Sequence, residues 1–447
     1  MNQVQTAPTF VEKIVEMFED FEKNTNSKPF AQKHPLRKEA LQHFASAGFP
    51  TTKHEEWKYT NLKKLISSSF NSTISQPVDF GFLKIILEEQ LPENFDGYKL
   101  VFYGNQFISE LSTIHQGRFF VGNLADAYAS HASVIDAYFG KLSDEKSSVF
   151  QSLNLAFAWH GAFVYVPKNN IVEKPIWILH IAPAENSISQ LRNLVILEEN
   201  TEAKLIEQCL ALGKEKSFFN KVTECFVASH ARLKHYILQD DISKDGIPES
   251  FQISHHCSHQ QKESLYENYT FTLGGNFVRN NLTLLLNGEH CEGNMYGLYM
   301  LDHQSHVDNH TAVDHLVPHA QSNQLYKGIL DGKATGVFNG KIFVRPHAQK
   351  TNAFQSNRTI LLSDQATIDT KPQLEIWADD VKCSHGATVG SLDTEPLFYL
   401  KARGIPEQKA RAMLIMAFAM DLIEKVDINA LKTLLFQRIM QKLNYQE

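Results

Sequence analysis

Phe10, Ile14, Met17, Phe18 and Phe21 recur at three- and four-residue steps, which sets them on one face of a helix beginning just after Pro8 and Thr9. A second helix is predicted from Pro35 to Ala47, with proline in its first turn and Gly48 at its end, before Phe49-Pro50 turns the chain away. Leu100-Val101-Phe102-Tyr103 is strand-like and meets a turn at Gly104-Asn105, and a short helical patch, Leu124 to Tyr128, follows. From about Gly161 to Gly390 the pattern changes. Short apolar strands alternate with small-residue corners, and helix-length amphipathic stretches nearly vanish.

Four corners echo one another: His319-Ala320-Gln321-Ser322-Asn323, Lys333-Ala334-Thr335-Gly336, His347-Ala348-Gln349-Lys350-Thr351 and Gln365-Ala366-Thr367-Ile368. Their alanines lie 14, 14 and 18 residues apart. Only small side chains fit where successive corners stack, so this spacing suits a solenoid with two corners per turn. An antiparallel sandwich or jelly roll also yields short strands at such intervals, and the pattern alone leaves both architectures open.

After Gly390 the helical pattern returns. Thr394-Glu395-Pro396 opens one helix and Pro406-Glu407 a second; Asp427 is expected to cap a third, whose Leu431, Leu434, Leu435, Ile439 and Leu443 share a face. The three-part division is then a helical region over 1–95, a β core over 96–390 and a helical region over 391–447. A solenoid exposes unpaired backbone at its end coils, and the flanking helices are expected to cover it. Met413 to Met420 is apolar all round, which points either to burial within its own domain or to a second, adaptable surface.

A net charge of −7 and the lack of a long basic run argue against nucleic acid as a partner. No apolar run approaches the roughly 20 residues that cross a bilayer, and Met1-Asn2-Gln3-Val4 opens without a leader pattern. Five scattered cysteines make no disulfide framework and fit a reducing compartment, so a cytoplasmic protein is expected. Gly336-Val337-Phe338-Asn339-Gly340-Lys341-Ile342 lacks the Ser or Thr and the spacing of a phosphate loop, and no nucleophile elbow or dinucleotide turn occurs. The pairs Asp240-Asp241 and Asp379-Asp380 would face apart on an extended chain. The chain has no recognisable ATP site of its own.

Nine of the 20 histidines fall between His255 and His319. His255-His256-Cys257-Ser258-His259 resembles a metal cluster in composition, yet a strand throws neighbours to opposite faces, so most of the nine are expected to be exposed or hydrogen-bonded rungs of a β surface, with a built-in zinc site the lesser alternative. Cys383 and His385 differ. Two residues apart in an extended run, they point the same way and offer a thiolate and an imidazole, half the set that zinc or an iron–sulfur cluster needs. A small buried cysteine beside a turn histidine is the structural alternative.

The segment Leu374 to Gly390, Leu-Glu-Ile-Trp-Ala-Asp-Asp-Val-Lys-Cys-Ser-His-Gly-Ala-Thr-Val-Gly, continuing through Leu397 to Ile405, resembles the C-terminal signature of the SufB/SufD family of iron–sulfur cluster assembly proteins. Its Cys-Ser-His-Gly-Ala-Thr form is similar to the SufD branch. Pro50 to Thr60 and Arg192 to Leu197 agree, so the resemblance spans nearly the whole chain. It implies a right-handed parallel β-helix flanked by N- and C-terminal helical domains. It further implies a scaffold subunit working with a SufB-like paralogue and a SufC-like ABC ATPase, with a homodimer open to the isolated chain. On this resemblance His385, with Cys383 beside it, is the candidate ligand for iron or for a transient cluster at a subunit interface, with none held tightly by the isolated chain. Phe398, Tyr399, Arg403, Met413, Met416, Phe418 and Met420 are the candidate ATPase-docking residues. The alternative, by fold analogy, is a β-helix carbohydrate-binding or carbohydrate-active protein.

Overall fold

The computed structural model describes residues 9–25, 29–72, 77–92, 95–142, 148–183, 186–211, 215–241 and 249–443. Met1 to Val4, used above for the leader pattern, lie outside them. The β region is a solenoid of about seven turns, so the sandwich is excluded. One face stacks Ser187–Leu197, Ser217–Val227, Ser250–Gln260, Phe277–Leu286, His306–His315, Thr335–Val344 and Thr367–Ile376. The other stacks Glu202–Ala211, Arg232–Gln239, Leu265–Thr272, Glu292–Leu301, Gln321–Leu330, Asn352–Leu361 and Lys382–Gly390. Each strand pairs in parallel with the strand one coil away, as in Phe277↔His306 and Gln321↔Asn352.

The corners explain the small-residue pattern. At one of them the chain takes a left-handed residue (Asn200, His230, Glu263, His290, His319 and Lys350, φ 55 to 63) just before a small buried one: Thr201, Ala231, Ser264, Cys291, Ala320 and Thr351. The left-handed residue turns the backbone sharply, and the small side chain lets the next corner stack against it. Ala320 and Ala348 lie at this corner and Ala334 and Ala366 at the opposite one, all four buried, which accounts for the half-coil spacing. Three histidines of the rich region, His290, His303 and His319, are therefore corner residues rather than rungs. His290 and His319 stack on each other at 5.0 Å.

Inward side chains such as Val195, Val227, Leu284, Val313 and Phe338 fill the solenoid. Helix Phe10–Thr25 buries Phe10, Ile14, Phe18 and Phe21 as its periodicity predicts, and His34–Ala47 ends at Gly48, φ 68. The predicted patch at Leu124 is longer, Leu124–Tyr138, and is followed by Val149–Ala156. These helices lie against the outer side of the first face through Phe163, Leu194, Phe218 and Phe251. The C-terminal helices, Thr394–Ala402, Glu407–Ile423 and Asn429–Lys442, follow the predicted order, and the last two pack on the outer side of the second face against Tyr236, Phe271 and Leu298.

Two expectations change. Asp427 does not cap the last helix: its carboxylate accepts from Tyr236 at 2.7 Å and pairs with Lys204 and Lys234, tying the helix to the sheet. The helices also cover the sides of the solenoid, not both of its ends. At the starting end both ladders finish in antiparallel strands, Phe120–Asn123 on Ala162–Val166 and Gln106–Phe107 on Tyr98–Tyr103. At the finishing end Thr367–Ile376 and Lys382–Gly390 each pair on one side only and are the outermost strands of their sheets.

Candidate functional site

Lys382–Gly390 is held by its pairing to Asn352–Leu361, which sets Cys383 opposite Ala353 and His385 opposite Gln355. Ala353, Gln355, Asn357 and Thr359 alternate as buried, inward residues, and by register Cys383, His385, Ala387 and Val389 share their side. Among the described residues no further coil covers that side, so it is the open mouth of the solenoid. Cys383 packs against a small cluster of Ile342, Val344, Ala348, Ala353 and Ala378, and burial pushes its thiol above the usual range. His385 is exposed. The pair therefore presents one half-sheltered sulfur and one open imidazole from a strand whose outer backbone edge is free.

Exposed apolar residues lie on the same last coils: Phe354, Ile376, Val389 and Trp377, the last 50% exposed. Arg345 stands over the Trp377 ring at 5.4 Å while its guanidinium holds Asp314 at 2.6 Å. Sequence reasoning missed this apolar rim. Alternation alone marks these residues as ordinary strand positions; only their place in the final coils exposes them.

The docking candidates divide. Phe398 and Tyr399, 73% and 55% exposed, point outward from Thr394–Ala402, and the Arg403 guanidinium lies 4.7 Å from the Tyr399 ring. Met413 is 39% exposed. Met416, Phe418 and Met420 instead pack partly into the cluster between the helices and the second face. The Lys327 ammonium sits over the Phe418 ring at 4.5 Å and donates to the Phe418 carbonyl at 2.9 Å.

Pro50 to Thr60 clamps the N-terminal region onto the solenoid. Arg279 stacks on Trp57 at 3.8 Å, donates to the Glu56 carbonyl at 2.8 Å and pairs with buried Asp308, which also accepts from Thr60. Hydrogen bonding from His310 and then Lys341, against the opposing effect of burial, lowers the Glu56 carboxyl to about 2. Trp57 thus serves packing and a cation–π contact.

Residues 9–178 match the SufBD protein N-terminal region, and residues 180–418 match the SufBD core domain of the SUF system for FeS cluster assembly. Over 427 residues the chain is 34% identical to the iron-sulfur cluster assembly protein SufD of Escherichia coli (strain K12), a match covering 94% of each chain. The chain belongs to the SufBD family. It is 31% identical over 408 residues to an iron-sulfur cluster assembly SufBD family protein of Synechocystis, covering 89% of this chain and 88% of that one. With SufD of Bacillus subtilis it shares 26% identity over 439 residues, 93% and 97% of the two chains. Family membership makes it an iron–sulfur cluster assembly protein of the SUF system and agrees with the resemblance read in the sequence. No helix among the described residues is long and apolar enough to cross a membrane.

Proposed function

We propose that this chain is a non-catalytic, SufD-type scaffold subunit of a cytoplasmic assembly complex. Its bare terminal coils pair with a SufB-like paralogue, and His385 supplies a ligand to the iron–sulfur cluster built between them. The observation that carries this is the exposed imidazole on a strand with a free backbone edge at the open end of the solenoid. An unpaired edge bordered by Ile376, Trp377 and Val389 favours strand addition by a second chain. One imidazole with a thiol beside it is an incomplete donor set, which the second chain completes. Incompleteness suits a cargo that must leave, because a protonatable imidazole releases metal more readily than a thiolate does.

A SufC-like ATPase docks on the outward side of the C-terminal helices, centred on Phe398, Tyr399 and Met413. Large aromatic side chains held out on a short helix are typical interface anchors, and Arg403 beside Tyr399 adds a cation to the same patch. The test is His385→Ala in the assembly reconstituted anaerobically with both partners. Cluster loading is expected to fall at least about tenfold while the complex still co-elutes. Unchanged loading removes His385 from the site, and failure to co-elute with wild-type chain refutes the pairing.

A further inference from the structure

Over the first three coils of the solenoid the interior turns polar. Glu207 from Glu202–Ala211, His235 from Arg232–Gln239 and His256 from Ser250–Gln260 converge there, all three buried. One oxygen or nitrogen from each lies within 4.8 Å of the others. Glu207 Oε1 accepts from Thr223 Oγ1 at 2.8 Å and lies 3.1 Å from His235 Nε2. His235 Nδ1 bonds the Tyr266 hydroxyl at 2.9 Å, which fixes the orientation of the ring. The two imidazoles meet at 5.3 Å.

His256 is the telling member. Neither of its ring nitrogens has a hydrogen-bond partner among the described residues, although only 2% of the residue is exposed. A buried polar group left unsatisfied destabilises the fold, and a metal ion is a partner that an imidazole accepts in a dry interior. We propose that Glu207, His235 and His256 form a binding site for a divalent first-row transition-metal ion inside the solenoid. Two imidazoles and one carboxylate are the donor set of open zinc and non-haem iron(II) sites, with a remaining position for water. The Tyr266 hydroxyl behind His235 and the Thr223 hydroxyl beside Glu207 supply the outer contacts that hold such ligands. All three donors stand on strands tied to neighbouring coils, so backbone pairing sets their spacing.

Lys221 is the competitor. Its ammonium lies 2.6 Å from Glu207 Oε2, so the carboxylate turns one oxygen to the lysine and the other to the imidazoles. A metal ion shares Glu207 with that cation, which weakens the site; Lys221→Met is therefore expected to tighten it. This site is separate from the terminal coil, and its fate does not depend on His385.

Burial requires the ion to enter as the chain folds, so the full chain is produced with cobalt(II), zinc(II) or anaerobic iron(II) in turn. Bound metal is measured by elemental analysis, and cobalt additionally by its visible ligand-field bands. About one equivalent per chain with tetrahedral or five-coordinate cobalt bands is expected. Both are lost in His256→Gln and His256→Ala and kept in His259→Ala, an outward neighbour in the same histidine run. Wild-type chain that folds but carries no stoichiometric ion of any of the three metals overturns the proposal. So does a folded His256 variant that keeps the full complement. Which metal fills the site most completely distinguishes iron from zinc.

Discussion

Ser250–Gln260 and Lys382–Gly390 are both extended strands that carry a histidine on the side facing the solenoid axis, yet they do opposite things. In the first, the next coil closes over His256, and burial holds its imidazole neutral, far below its usual pKa. In the second no coil follows, and His385 stands open beside Cys383. Local chemistry is similar. What separates a sealed donor from an available one is the number of coils stacked beyond it.

The comparison breaks most forcefully in the covered part. Arg192→Ala strands the fully buried Glu224 carboxylate, which Arg192 holds at 2.9 Å, and is expected to cost about 3–5 kcal/mol in urea unfolding. His319→Val places a β-branched residue at φ 63, and the same measurement should show a loss of about 1–2 kcal/mol, with His319→Gly close to wild type.

A pH series sharpens the contrast between the two histidine environments. Burial lowers His315 to about 3, so the unfolded chain binds its proton first as pH falls below the ordinary value near 6.5. The stability that His315 contributes is whole above pH 6.5 and is lost progressively toward pH 3. Wild type should therefore lose stability relative to His315→Gln by about 1.4 kcal/mol per pH unit between pH 6 and 4. A parallel pair of curves would show that His315 is not kept neutral.

The open end should respond least in stability. His385→Ala is expected to shift unfolding by no more than about 0.5 kcal/mol, because the side chain is exposed, while cluster loading falls at least about tenfold. Phe398→Glu should likewise leave stability within about 0.5 kcal/mol yet weaken ATPase binding in a pull-down or calorimetric titration. Phe418→Glu, by contrast, should destabilise the chain itself, since Phe418 packs within the fold beneath Lys327.

Much of the architecture was legible in the residues. The stripe from Phe10 to Phe21 named its helix, Gly48 its neighbour's end, and the alanine corners the half-coil, because each depends on neighbours three, four or about fourteen positions away. Alternation was enough to put Cys383 and His385 on one side. It was not enough to show that Asp427 would anchor to Lys204 and Lys234 rather than cap a helix, since those lysines lie on strands some two hundred residues earlier. Nor could it join Glu207, His235 and His256, whose intervals of 28 and 21 residues match no local period.

Sequence alone determined the kind of strand, the corners that let strands stack, the supply of donors and the family signature, because these rest on side-chain size and short-range periodicity. Only the tertiary structure decided which inward side chains are enclosed and which lie open. It laid the helices along the sides of the solenoid and left one end bare, since the broad apolar surfaces of the two sheets offer far more area to bury than the edge of a final coil.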